Sequence, residues 1–272
     1  MMRSNSRCVR GKPLLRTVAV LGAFAVMVAV AVGSPAHEVS GKWGGPIDAD
    51  ALQILKGMTD YLGSLQQFSM HTENTYEDVL ATGQKIQFSF SSSIVAQRPD
   101  KLRAKRMDGM AHQLFVYDGE ALSMYDGGPD FFSIIGVPDN LDDFLHFARD
   151  TLDLVPPTGD MVYSNAFELL TAGVTSGFVV GKAVIGGVSC DHLAFTTPVV
   201  DWQIWIADGD KPLPYKYVLT TRDDPAQPQF VTYVSDWNAD PKIGDGTFEF
   251  EPPATAMEID FILPVAGTTS AR

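Results

Sequence analysis

Hydrophobic positions along this chain follow three rhythms in turn: an unbroken run, a helical repeat, and a long series of two-residue alternations. Thr17 to Val32 (TVAVLGAFAVMVAVAV) is the unbroken run. From Asp48 the spacing becomes helical. Leu52, Leu55, Met58, Leu62 and Leu65 fall on one face, behind two acids, Asp48 and Asp50, that suit the positive end of a helix. From Phe68 the period drops to two. Phe68 and Met70 open an extended stretch reaching Tyr76. Ile86, Phe88, Phe90 and Ile94 alternate with Gln87, Ser89 and Ser91, and stop before Arg98-Pro99-Asp100, where Pro99, lacking a donor, fits a turn. Leu102 to Met107 resumes the extended pattern. Leu114–Tyr117 and Glu120–Tyr125 then flank Asp118-Gly119, a hairpin signal because glycine accepts the positive φ of a type I′ turn.

A second helix is expected over Asn140–Leu152. Asn140 serves as N-cap, Leu141, Phe144, Leu145, Ala148 and Leu152 form the stripe, and Pro156-Pro157 stops it. Phe167–Leu170 reads equally as a helical turn or a short strand. Strands then recur at Phe178–Ile185, Val188–Thr196, Trp202–Ile206, Tyr215–Thr221 and Phe230–Trp237, and Phe248–Pro253 reads as a last edge strand broken by proline. One helix, a block of hairpins, a helical insertion and an antiparallel meander predict an α+β fold: an open (half) antiparallel β-barrel covered by helices. Phe88, Phe90 and Ile94 share a face, as do Trp202, Ile204 and Ile206, and Tyr217 and Leu219. Two helices cover only part of such a face. The pattern therefore predicts an apolar cleft lined by Phe88, Phe90, Ile94, Leu102, Trp202, Ile204, Tyr217 and Leu219.

The apolar run at Thr17–Val32 acquires its meaning from its flanks. Arg3, Arg7, Arg10, Lys12 and Arg16 precede it without an acid, and Ser34-Pro35-Ala36 supplies small residues at a cleavage site. That order is a secretory signal peptide, too short to span a bilayer easily. The expected organisation is a signal peptide over 1–36, cleaved after Ala36, a linker over 37–46, a single domain over 47–263 and a disordered tail over 264–272. The expected location is the periplasm, with no stable membrane insertion after cleavage. The leader holds five of the 20 basic residues and none of the 33 acids, so its removal takes the net charge from −13 to −18. Such a surface repels phosphate backbones and argues against nucleic-acid binding.

Catalytic chemistry is sparse. The chain has no nucleophile elbow, zinc-binding His pair or glycine-rich phosphate loop, and no metal or cofactor is expected. Cys190-Asp191-His192 places a thiol and an imidazole on one face of a strand, the one arrangement that would suit a hydrolase. Asp208-Gly209-Asp210 lacks the distal glutamate of a calcium loop and reads as a turn. Asp139, Asp142 and Asp143 are accounted for by a helix N-terminus.

The element Arg98-Pro99-Asp100-Lys101-Leu102-Arg103, the hairpin Val116–Tyr125, the strand Cys190–Phe195, Asp201–Ile206, Leu213–Tyr217 and the terminal Phe248-Glu249-Phe250-Glu251-Pro252-Pro253 occur in an order that resembles a bacterial family of predicted periplasmic proteins of unknown function. That family is similar in turn to the LolA/LolB lipoprotein-carrier superfamily. The resemblance covers roughly residues 48–253. It implies a LolA-like half-barrel whose cavity takes acyl chains, and, near the cavity, an arginine that couples binding to release. Arg98 and Arg103 lie in the similar element and are the candidate polar gate. The expected function is non-enzymatic binding of a lipid, acyl chain or lipoprotein-like apolar ligand. An envelope scaffold that binds a protein partner, and a hydrolase using Cys190 and His192, are the alternatives.

Overall fold

The computed structural model describes residues 45–109, 112–154 and 158–261, all within one compact unit, Gly41–Arg272. The expected signal peptide with its cleavage after Ala36, most of the linker, the helix stop at Pro156-Pro157 and the tail 264–272 lie outside the described residues.

Helix α1 (Ala49–Ser64) begins where the Asp48 carboxylate accepts the Asp50 N–H at 3.0 Å, a bond that satisfies one of the open donors of the first turn. It buries Ala51, Leu55, Met58 and Leu62. Six strands follow: β1 (Gln67–Val79), β2 (Lys85–Gln97), β3 (Lys101–Met107), β4 (His112–Tyr117), β5 (Ala121–Asp126) and β6 (Phe131–Gly136). Helix α2 (Leu141–Asp150), capped by Asn140 on the Asp143 N–H, a short 3₁₀ turn (Gly159–Met161) and α3 (Ala166–Thr171) form the insertion. The meander is β7 (Ser176–Ile185), β8 (Val188–Thr196), β9 (Val200–Ala207), β10 (Pro214–Thr221) and β11 (Gln229–Asn238), and β12 (Met257–Glu258) ends the chain of elements.

All twelve strands form one sheet in the order β12-β6-β5-β4-β3-β2-β1-β11-β10-β9-β8-β7. Only the β12–β6 pairing is parallel. β12 and β7 end the order without pairing to each other, so the sheet is open, a half-barrel with helices on its inward face. Close packing there tolerates only glycine at Gly177, where a Cβ would stand 2.4 Å from the Phe195 ring.

Two cores divide the inward face. In one, Leu141, Phe144, Leu145 and Ala148 of α2 pack on Phe68, Met70, Ile94, Ala96, Tyr117 and Leu122. In the other, α1 and Leu170 of α3 pack on Leu193, Phe195, Trp202, Ile204, Ile206 and Tyr217. At the middle of β1 and β11, central in the strand order, the inward positions Thr72, Asn74 and Thr232 are instead polar. Buried Thr232 donates to the Asn74 side-chain oxygen at 2.8 Å, and the Asn74 amide donates to the Thr72 hydroxyl at 2.8 Å. Each member of this seam therefore has a partner, as buried polar groups require.

Two readings of the sequence need correction, and one strand went unread. Strand β6 (FFSIIG) is not legible as alternation because both of its faces are apolar. Phe248–Pro253 is not a strand. It is a segment laid over the outer face, with Phe250 against Tyr125 and Phe132 at 6.4 and 5.8 Å, and the adjacent prolines Pro252 and Pro253 have no N–H to give a ladder. The β4–β5 turn centres on Gly119-Glu120 rather than Asp118-Gly119. Gly119 takes φ 96°, and the Asp118 carboxylate accepts the N–H groups of Glu120 and Ala121. Phe167–Leu170, left open by the sequence, is helical.

Candidate functional site

Strand register aligns six apolar side chains across the inward face: Phe88 opposite Tyr76, Tyr76 opposite Phe230, Phe230 opposite Leu219, Leu219 opposite Trp202, and Trp202 opposite Phe195. With strands spaced about 4.8 Å apart, the row is about 24 Å long. Its two ends differ. Phe195 and Trp202 stack at 4.2 Å beneath α1, within the second core. Phe88 is 43% exposed and stacks on Tyr76 at 5.3 Å, and neither of these rings nor Phe230 belongs to a helix-covered core. This end of the row is an open aromatic slope.

The eight expected lining residues fall in different places. Phe88 lies on the slope. Phe90 is buried beside it, 6.2 Å from Tyr76 and 6.5 Å from Phe230. Ile94 and Leu102 belong to the α2 core. Trp202, Ile204 and Tyr217 are buried under α1, and Leu219 lies at the margin of that core. Burial pushes the Tyr217 hydroxyl well above its ordinary pKa. Most of the inward face is thus filled by the protein's own helices. Two surface grooves, of about 1090 and 1360 Å³, are lined by other residues. Tyr76, Phe230 and Arg106 border the slope without having been singled out from the sequence. The parity of Leu102, Ala104 and Arg106 is the signal that puts Arg106 on the inward face.

The two gate candidates part company. Arg98, at the rim where β2 ends, donates from Nη2 to the Val162 carbonyl at 2.7 Å and lies 4.0 Å from Asp142 of α2. Asp142 accepts the Ser164 N–H at 2.9 Å and the Ser164 hydroxyl. Arg98 therefore ties the sheet to both α2 and the segment leading to α3. Burial lowers its pKa, against the opposing pull of Asp142. Arg103 donates to the Thr247 carbonyl at 3.0 Å, holding the C-terminal segment rather than the helices.

Cys190 and His192 are each committed elsewhere. Cys190 is fully buried, its Sγ 3.5 Å from the Val188 carbonyl, and burial, then Asp208, pushes its thiol up, away from a reactive thiolate. His192 pairs through Nε2 with Gln203 Oε1 at 2.9 Å and stacks on Trp205 at 4.0 Å. Among the described residues no His, Cys, Asp or Glu group could hold a metal ion.

Burial is the chief cause that lowers the pKa of His192 below 6.5, with Lys216 adding to it and the Gln203 bond opposing. The unfolded chain then takes up the proton first as pH falls, so His192 subtracts stability as pH drops from about 7 through 6.5 toward the folded pKa. His192→Gln is expected to flatten the loss of urea-unfolding midpoint between about pH 7.5 and 5.5. An unchanged slope would refute the assignment.

Residues 51–262 match the family described as predicted periplasmic protein (DUF2092). The chain belongs to that family. The family description puts this member in the periplasm, and no helix among the described residues is long and apolar enough to cross a membrane. No curated protein matches the chain. Among solved structures it is similar to LprF from Mycobacterium bovis (16% identity, TM-score 0.46, 74% of this chain and 99% of that one). It is also similar to the lipoprotein LppX from Mycobacterium tuberculosis (15%, 0.37, 71% and 100%) and to a LolA superfamily protein from Nitrosomonas europaea (11%, 0.34, 73% and 96%).

Proposed function

We propose that this periplasmic protein is a non-enzymatic binding protein that holds an acyl chain or similar apolar ligand on the inward face of its half-barrel. The supporting observation is the aromatic row, closed at Trp202 and open at Phe88, Tyr76 and Phe230. A chain laid on the slope gains roughly 0.8 kcal/mol for each CH₂ it buries, so affinity can come from area alone. Sliding further along the row, toward Leu219 and Trp202, requires α1 to yield. In this reading Arg98 is the gate residue, because its bonds keep α2 and the Val162–Ser164 segment on the rim.

The test is displacement of a fluorescent fatty-acid reporter, together with extraction of lipids carried through native purification. Phe88→Glu is expected to weaken reporter binding by about tenfold or more, the worth of one aromatic contact, while leaving the unfolding midpoint nearly unchanged because Phe88 is already exposed. No displacement and no enriched lipid would end this reading. Strand β7 favours a second one. It is a terminal strand of the open sheet, with Val184 69% exposed, to which an extended envelope polypeptide could add. Failure of the lipid assays, with hydrogen-exchange protection appearing at β7 in periplasmic extract, would favour that alternative.

A further inference from the structure

Arg106 gives the open end of the row a polarity. It is an inward position of β3, opposite Ser92 of β2, and among the described residues the one cation on the inward positions of β1, β2, β3 and β11. Its side chain bends back over Phe90, with the guanidinium carbon 4.1 Å from the ring centroid. It remains 36% exposed, and the nearest acid, Asp108, is 3.9 Å away. Its Nε–H is buried with no hydrogen-bond partner. A guanidinium offers five donors in a planar fork suited to a carboxylate, and at Arg106 a buried Nε–H is left without a partner beside the slope. Asp78, an exposed acid on the same face of β1, lies on the opposite side of the row, toward the β1–β2 turn. An anionic group is therefore drawn to the β3 side and repelled from the strand tips.

We propose that the occupant of the slope is a single-chain amphiphile with a carboxylate head, a long-chain fatty acid, its head on Arg106 and its chain against Phe88, Tyr76 and Phe230. This rests on the apolar-ligand reading above and adds the choice of head group. The experiment compares hexadecanoate with hexadecanol in displacing a neutral reporter from the exported protein and from Arg106→Gln. Hexadecanoate is expected to bind at least tenfold more tightly than hexadecanol to the parent protein, the scale of a charge-assisted hydrogen bond. Arg106→Gln should remove that advantage and leave hexadecanol within twofold. Added salt should weaken hexadecanoate alone, which tests the claim on the unaltered protein should the variant fold poorly. Equal binding of the two probes, or a hexadecanoate affinity indifferent to both salt and Arg106→Gln, overturns the head-group assignment while the apolar reading stands. Binding of neither probe overturns both.

Discussion

Tyr117→Ala is expected to destabilise the protein by about 4–6 kcal/mol and to lower its unfolding temperature by roughly 10–20 °C. Tyr117 is completely buried and stacks almost parallel on Phe144 of α2, centroids 4.1 Å apart and planes 8° apart. Its hydroxyl donates to the Pro138 carbonyl at 2.8 Å, and burial raises its pKa to about 12. Removing the ring opens a void of aromatic size, worth about 3–5 kcal/mol. The orphaned carbonyl adds about 1 kcal/mol. Tyr117→Phe keeps the stack and forfeits only the hydrogen bond, so it should cost about 1 kcal/mol. Urea and thermal unfolding of the two variants separate the contributions. Equal losses would mean that the stack on Phe144 does not hold α2 to the sheet.

A still larger effect is expected from Leu55→Asp. Leu55 is fully buried at the middle of α1. The lost side chain costs about 2–5 kcal/mol, and a carboxylate forced into the apolar core that holds Met58, Leu193 and Ile204 loses its hydration. Together these approach the total stability of an ordinary domain, about 5–15 kcal/mol, so α1 should leave the sheet or the protein should fail to fold. The neighbouring Lys56→Ala is the contrast. Lys56 is exposed and bonded to Asp60 at 2.6 Å, one turn away, and its loss should cost about 0.5 kcal/mol or less. Near-ultraviolet circular dichroism and hydrogen exchange across α1 read both variants. Wild-type protection of α1 in Leu55→Asp would show that α1 is not held by this face.

The difference between what was legible and what was not is one of range. Both long helices were legible because their signals are local: a capping side chain, Asp48 or Asn140, followed by a stripe at helical spacing. Strand parity was legible for the same reason, and it put Phe88 with Phe90, and Trp202 with Ile204. Parity does not say which strands adjoin. The row joining Phe88 to Phe195 exists only because β1 sits between β2 and β11, a pairing with no local signature. Alternation also fails where both faces are covered, as in β6, whose outer face meets Phe250. Nor does the pattern report how far a helix fills the face it covers. Ile204 and Tyr217 read as open lining because their cover, α1, lies more than a hundred residues earlier.

The central position of β1 has a consequence for how the chain reaches its destination. Thr232 and Asn74, joined at the middle of the sheet, are 158 residues apart, so the two halves cannot be zipped together until almost the whole polypeptide has emerged. Contacts of such long sequence separation form slowly. A polypeptide exported through the inner membrane gains from that delay. Such a chain is expected to stay threadable during transit and to close its sheet only on the far side.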